Sequence, residues 1–409
     1  MTDSTRKDPS RLPRPVRVLY SFPHKIGADR ICHTAWSQVD GLAKAGAEML
    51  VHPGVLHRPF AGGVRVDPTL AWGGLRVSYK LLGTKRACAW HDAIVARRLE
   101  KLGGQIDIVH TWPMGALRTL KEAARLGLPT VLERPNAHTR FAYEVVQKEC
   151  EKLGITMPAG HEHAMKEDWL KIEEEEYERA DYLLCPSDFV AQTFLDRGFP
   201  PHKLLRHQYG FDEKVFHPAA GPRDPARPFT MLFAGGCAPR KGLHYALEAW
   251  LQSSAHRDGK FLIAGGFIPG YAERLTSMLS HPSVEVLGHR RDVQDLMRRS
   301  DVFVLPTIEE GSALVTSEAR GCGCVILVSE AAGAICEHEK NAFVHRVGDV
   351  AALARHITLL HDDRGALERM RTASLQTVQE LTWDAAGRRL LAIFQQVLNK
   401  PTKSQAASA

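Results

Sequence analysis

The chain has 409 residues, 44% of them hydrophobic and 24% charged, with a formal net charge of +6. That length exceeds what one core usually organises, so two α/β domains of roughly 200 residues each are expected. No run of about 18 apolar residues occurs, which excludes a transmembrane helix, and the modest positive balance comes without an RNA-binding signature, so no nucleic-acid partner is expected.

The N-terminus is basic and contains prolines, and the apolar run behind it, Val18-Leu-Tyr20, is far too short for a secretory signal. A strand over Val16–Tyr20 leads into the loop Pro23-His-Lys-Ile-Gly-Ala-Asp29 and a helix over Thr34–Ala45. Between Arg76 and Lys101 seven Lys or Arg residues stand against two acids, interleaved with Leu81, Leu82, Trp90, Ile94, Val95 and Leu99. This face reads either as an ordinary solvated helix or as one that lies on an anionic membrane surface. Next come a strand over Asp107–His110, a helix over Met114–Leu126, and a strand over Pro129–Glu133 that opens into Arg134-Pro-Asn-Ala-His-Thr139. His161-Glu-His163 lacks the spacing of a zinc-protease helix and reads as a polar loop. The acidic run Glu173–Glu176 reads as an exposed helix face. After a strand over Tyr182–Cys185, the stretch from Phe211 to Pro228 is linker-like, with Pro218, Gly221, Pro222, Pro225 and Pro228. Strands over Thr230–Ala234, Phe261–Ala264, Val284–Leu287, Val302–Leu305 and Val325–Val328 follow, then a last helix near Trp383–Leu398. Such alternation implies parallel sheets covered by helices on both faces, twice over, with ligands at the carboxyl ends of the strands. The eight cysteines contain no C-x-x-C pair, and Cys322 and Cys324 are spaced wrongly for a zinc clamp. Reduced thiols, a cytoplasmic location and no metal are therefore expected.

Two segments carry chemistry. At Leu232-Phe-Ala-Gly-Gly-Cys-Ala-Pro-Arg-Lys-Gly242 an apolar strand opens into a loop bearing Gly235 and ending in two adjacent cations, Arg240 and Lys241. At Glu310-Gly-Ser-Ala-Leu-Val-Thr-Ser-Glu318 two glutamates with seven residues between them follow another strand and run into small, helix-compatible residues. One carboxylate should sit on the turn and the other inside the helix. Each motif alone also reads as plain surface, two solvated glutamates or an exposed helix start. Together, cations, a helix N-terminus and paired carboxylates suit a nucleoside diphosphate attached to a sugar. A guanidinium, an ammonium and backbone N–H groups stabilise a departing diphosphate without a metal. Sugar hydroxyls are donors that a carboxylate accepts side by side, so Glu318 fits the ribose and Glu310 the transferred sugar.

With these motifs in this order, the chain resembles GT-B glycosyltransferases of the retaining family 4 type nearly from end to end. Softer segments share the pattern: Val286-Leu-Gly288 before Asp295–Asp301, Arg179-Ala-Asp181 before Cys185-Pro-Ser187, and Tyr209-Gly-Phe-Asp212 before Phe216-His-Pro218. The resemblance implies an α/β fold of two doubly wound Rossmann-like domains facing a central cleft. It implies a flexible lead (residues 1–15), an acceptor-side domain (16–210), a hinge (211–228), a nucleotide-sugar domain (229–382), a helix crossing back to the first domain (383–399) and a disordered tail (400–409). It implies donor binding by Arg240, Lys241 and Glu318, by the segment Gly311, Ser312, Ala313 and Leu314, and by Gly235, His289 and Gly27, with Glu310 orienting the sugar. The family also tends to place a first-domain histidine near the sugar. His138 is the candidate, and His110, ending another strand, is its competitor. Gly265-Gly266 reads as a close backbone approach to the same pocket or as a plain turn.

No cofactor is implied; the partners are a nucleotide sugar and a glycan, lipid-linked or small-molecule acceptor, with the membrane contact of the basic face as an open alternative. Two departures bear on the acceptor side: Cys324 stands where the family has proline, and Gly27 stands alone where it has a glycine pair. Other classes remain open. A GT-B epimerase would differ in its products, a phosphorylase lacks its pyridoxal-binding lysine motif here, and an idle sugar-nucleotide-binding subunit would survive loss of Glu310.

Overall fold

The computed structural model describes residues 14–77, 82–158, 160–161, 163–221, 224 and 226–399. Most of the expected flexible lead (1–13), the expected tail (400–409), Lys80 and Leu81 of the basic stretch, Glu162, and Pro222 and Pro225 of the linker lie outside the described residues. Contact density divides the chain into one compact unit of residues 1–131 with 387–409 and a second of residues 132–386.

The strands are β1 Arg17–Ile26, β2 Glu48–Leu56, β3 Val64–Val66, β4 Ala71–Trp72, β5 Leu75–Arg76, β6 Ile108–Thr111, β7 Thr130–Glu133, β8 Tyr182–Cys185 and β9 Leu204–Arg206, then β10 Thr230–Ala234, β11 Lys260–Ala264, β12 Val284–Gly288, β13 Val302–Leu305, β14 Val325–Ser329 and β15 Ala342–His345. The helices are α1 Ile31–Lys44, α2 Thr84–Leu102, α3 Leu117–Arg125, α4 Thr139–Leu153, α5 Glu167–Arg179, α6 Asp188–Leu195 and α7 Leu243–Gln252, then α8 Tyr271–Arg274, α9 Thr276–Leu279, α10 Val293–Arg299, α11 Leu314–Gly321, α12 Val350–Asp362, α13 Arg364–Thr377 and α14 Trp383–Asn399. One sheet has the order β3-β2-β1-β6-β7-β8-β9 and the other β12-β11-β10-β13-β14-β15, with β4 and β5 forming a small antiparallel pair. In the second sheet the order reverses between β10 and β13, which pair in parallel with Met231 opposite Val302 and Leu232 opposite Phe303. A doubly wound sheet binds its ligands at such a switch point, beyond the carboxyl ends of the strands.

The expected two-sheet α/β architecture is therefore present. Its second core is built from strands whose side chains are buried on both faces, such as Val302–Leu305 and Val325–Ser329. Six strands escaped the sequence reading, among them β4 and β5 with only two residues each. β2 carries His52 and Pro53 within an otherwise apolar run, and β3, β9 and β15 span only three or four residues each. Helix α3 starts three residues later than expected because its N-terminus is capped from a distance: the Asp92 carboxylate of α2 accepts the Arg118 and Thr119 amides at 2.7 and 2.9 Å. On α2 itself Val95 and Leu99 are fully buried, so they do not join the exposed Trp90 on a solvent face. Within the first unit α14 lies against α1, where a side chain at Gly387 would strike the Gly41 backbone at 2.3 Å.

The acidic run needs correction, because it is not an exposed helix face. Glu176 is fully buried, and Glu173 accepts hydrogen bonds from Arg134, Thr139 and Tyr177 at 3.2, 2.5 and 2.6 Å. The reason is Arg134, whose buried guanidinium sits 4.3 Å over the Tyr177 ring and requires a carboxylate partner. Among the described residues no helix is long and apolar enough to cross a membrane.

Candidate functional site

The carboxyl end of β10 passes through Gly235, whose amide donates to the Ala264 carbonyl at 3.0 Å, and reaches a tight 3-10 turn, Pro239-Arg-Lys241. Proline presets the start of this turn and Gly242, at φ 68°, ends it in the left-handed region. No other residue fits at 242, because a Cβ there would lie 1.9 Å from the Pro306 carbonyl oxygen. The turn is also tied to the residues after β13: the Arg240 carbonyl accepts from the Ile308 amide at 2.9 Å and from the Thr307 hydroxyl at 2.8 Å. These main-chain ties bring the two adjacent cations beside the two adjacent glutamates.

Arg240 donates through Nε to Glu309 at 2.8 Å and through Nη2 to Glu310 at 2.7 Å, and the second Glu310 oxygen pairs with Lys241. Burial raises the Glu310 carboxyl, but the Arg240 and Lys241 charges outweigh it and hold the group down at about 2. Burial lowers the Lys241 ammonium, and the neighbouring guanidinium adds to that against the pull of Glu310. Burial also opposes the charge on Arg240, yet its two carboxylate partners win and raise it. Glu309 was not singled out from sequence. It is fully buried and also accepts the Ala137 amide at 3.2 Å, so it binds the segment before His138 to the cation pair. The visible signal was symmetry of charge: two adjacent cations facing two adjacent acids, not one.

The segment that follows is equally constrained. A Cβ at Gly311 would fall 1.6 Å from the Pro135 carbonyl oxygen, so only glycine allows this approach. The Ala313 amide is taken by the Ala332 carbonyl at 3.0 Å, while the Gly311 and Ser312 amides make no backbone hydrogen bond among the described residues. Leu314 begins α11, and Glu318 lies one turn further on. The Glu318 side chain makes no hydrogen bond or ion pair among the described residues, and burial pushes its carboxyl up to about 7. An unpaired, largely desolvated carboxylate is a strong acceptor awaiting donors.

The backbone before His138 reaches the site, but its ring is 3% exposed and packs against Tyr177, Phe194 and Phe199, with centroids 5.2, 5.0 and 6.1 Å away. Burial, helped by the charges of Arg134, Arg197 and Arg140, pulls this imidazole down to about 3, and its Nδ1 accepts the Arg140 amide as the cap of α4. His110 is buried in the first unit, 4.5 Å from the Tyr20 ring and 5.9 Å from Phe394. Gly27 is in that unit too, at φ 85° and pressed against Arg58 and Trp36. His289 is exposed on the turn after β12, two strands from β10. Gly265 is a close approach: a Cβ there would stand 1.8 Å from the Gly235 carbonyl oxygen.

Residues 228–363 match the family model described as Glycosyl transferases group 1. The chain is similar to the UDP-Gal:alpha-D-GlcNAc-diphosphoundecaprenol alpha-1,3-galactosyltransferase of Escherichia coli, 25% identical over 63% of this chain and 67% of that one. It is also similar to the putative colanic acid biosynthesis glycosyltransferase WcaL of Salmonella typhimurium, at 26% identity over 54% of this chain. The match spans only 58% of that relative's length. Among solved structures, sucrose-phosphate synthase from Thermosynechococcus elongatus aligns over 94% of this chain and 99% of its own with a TM-score of 0.66 at 19% identity. Anabaena HepE in complex with UDP aligns over 93% of this chain and 100% of its own with a TM-score of 0.63 at 16% identity. These likenesses show the fold, which is that of the GT-B glycosyltransferases expected from the sequence.

Proposed function

We propose that the chain is a retaining, metal-independent glycosyltransferase that moves a sugar from a nucleoside-diphosphate donor to a hydroxyl of a glycan, glycolipid or small-molecule acceptor. One observation carries this reading: Arg240, Lys241 and Glu310 converge in hydrogen-bond contact at the switch point of the second sheet, with an unpaired Glu318 eight residues on. The two cations bind the diphosphate and stabilise the charge it gains as the bond to the sugar breaks. Glu318 accepts the ribose hydroxyls. Glu310 orients the transferred sugar and stabilises its developing positive charge, and it is not assigned as a nucleophile. With no nucleophile assigned, the departing phosphate takes the acceptor's proton on the same face, which retains the anomeric configuration. The solved neighbour bound to UDP and the relative that acts on a diphosphoundecaprenol-linked sugar support a nucleotide donor and a lipid-linked or free glycan acceptor.

The test is a thermal-shift panel of nucleoside diphosphates and their sugar conjugates, with EDTA present, on wild type and on the Arg240→Ala, Lys241→Ala double variant. A ligand at about 100 times its Kd stabilises the native state by about 2.7 kcal/mol. Stabilisation of wild type alone supports the reading; no stabilisation by any nucleotide overturns it. Proton NMR of the anomeric signal in the product then checks retention, and loss of turnover in EDTA would defeat metal independence.

A further inference from the structure

Glu309 takes no part in the reaction just described, yet it is the most buried carboxylate of the site. The Arg240 guanidinium is divided between two acids, its Nε going to Glu309 and its Nη2 to Glu310. The two acids are held differently. Glu309 is bound by a side chain and by a main-chain amide, that of Ala137, and its side chain is 0% exposed. Among the described residues Glu310 is bound only by the side chains of Arg240 and Lys241, and its own side chain keeps 12% exposure.

Resting on the nucleotide-sugar reading, we propose that Glu309 is a positioning residue of the donor site. It fixes Arg240 by the Nε edge and the 135–138 segment by the Ala137 amide, so that an arriving diphosphate displaces Glu310, and Glu310 alone, from Arg240 and Lys241. A diphosphate competes for the same donors, and the carboxylate that costs less to move yields. Moving Glu309 would leave a buried carboxylate and the Ala137 N–H without partners, a penalty that Glu310 does not face. Once displaced, Glu310 is released toward the sugar hydroxyls at the moment the donor arrives. Without Glu309, Arg240 can turn both donor edges to Glu310, and a bidentate pair of that kind resists displacement.

The experiment is titration calorimetry of UDP, GDP, ADP and dTDP against wild type, Glu309→Gln and Glu310→Gln, with the matching nucleosides alongside. For the diphosphate that binds wild type, Glu310→Gln should bind about tenfold tighter and Glu309→Gln about tenfold weaker, while nucleoside affinity stays within about twofold. Bulk electrostatics predicts that losing either negative charge tightens anion binding, and general damage predicts that both variants weaken and that the nucleoside suffers equally. A shift of both variants in one direction therefore overturns the proposal. Should Glu309→Gln fail to fold, Arg240→Lys serves: it keeps the charge but removes the Nε edge, and undiminished diphosphate affinity would sink the idea. If no diphosphate binds wild type, the nucleotide-sugar reading itself falls; if one binds and the signs agree, only this inference does.

Discussion

The second unit holds two buried ion clusters at opposite ends of the same two strands, and their contrast separates structural charge from functional charge. Before β13, Asp301 receives the Thr230 amide at 3.0 Å, Arg371 at 3.2 Å, Arg364 at 3.4 Å and Arg227. Beyond the carboxyl ends, Arg240 and Lys241 face Glu309 and Glu310. The carboxylates of both clusters are largely buried, so burial does not tell them apart. The difference is in what holds each carboxylate. Asp301 is shared by three guanidiniums, one before β10 and two on α13, and by a backbone donor, and no single group can replace that set. Glu310 is held by two adjacent side chains on one turn, and those are donors that a diphosphate also satisfies.

The largest expected effect lies at the replaceable end. Glu310→Ala should lower transfer by on the order of 10⁴-fold, about 5.5 kcal/mol of transition-state stabilisation, without a comparable loss of stability. Product formation with the identified donor, beside a denaturant melt, measures both. Undiminished transfer with an intact fold would erase the distinction and remove Glu310 from the reaction. Asp301→Ala should do the reverse. Removing it leaves Arg371, whose side chain is 9% exposed, without its buried partner and costs about 3–5 kcal/mol of stability. Nucleoside diphosphate affinity, measured well below the lowered melting temperature, should stay within about twofold of wild type. A tenfold loss of affinity would mean that the two ends are coupled through β10 and β13.

A third prediction sharpens the functional end through pH. Burial raises the Glu318 carboxyl to about 7, against about 4.3 for an unfolded glutamate. The native state therefore holds the proton between those values when the unfolded state has lost it, so stability falls as pH rises through that window and levels off above it. Glu318→Gln should remove this slope and stabilise the fold by about 2 kcal/mol at pH 8 while changing little at pH 4.5. Denaturant melts at the two pH values measure it, and parallel wild-type and variant curves would refute it. Ribose hydroxyls need the ionised acceptor, so nucleotide affinity should rise across the same window in wild type alone.

Much of this arrangement was legible in the sequence because it depends on local pattern. Continuous apolar runs announced β10, β13 and β14, and the small residues after Glu310 announced α11. Arg240, Lys241 and Glu310 stand directly beyond strand ends, where chain direction alone brings them together. What stayed hidden depends on partners distant in the chain. The cap of α3 comes from Asp92, 26 residues before the amide it binds at Arg118. The His138 ring turns into a pocket of Tyr177, Phe194 and Phe199, which no local pattern around His138 announces. The acidic run on α5 reads as surface until Arg134, 39 residues earlier, is seen buried against it. Glu309 was within sight, but its role emerges only once the Ala137 amide, 172 residues away, arrives beside it.

The smallest predicted effect tests whether burial grades the Asp301 cluster internally. Arg364 shares the Asp301 carboxylate with Arg371, but its side chain is 44% exposed against 9%, and its contact is the longer at 3.4 Å. An exposed pair is screened by water and salt and loses side-chain entropy to stay formed, so it contributes little. Arg364→Ala should thus cost under about 1 kcal/mol, and that cost should shrink further in molar salt, whereas the Arg371→Ala cost should be several-fold larger and less salt-dependent. Part of the Arg364 loss should persist at any salt, because its guanidinium also lies 5.1 Å over the Phe229 ring and covers apolar surface there. Melts of both variants at low and high salt measure the gradient. Equal costs would mean that Asp301 draws on its guanidiniums as one delocalised set, and the contrast with the replaceable carboxylate at the other end would then rest on main-chain anchoring alone.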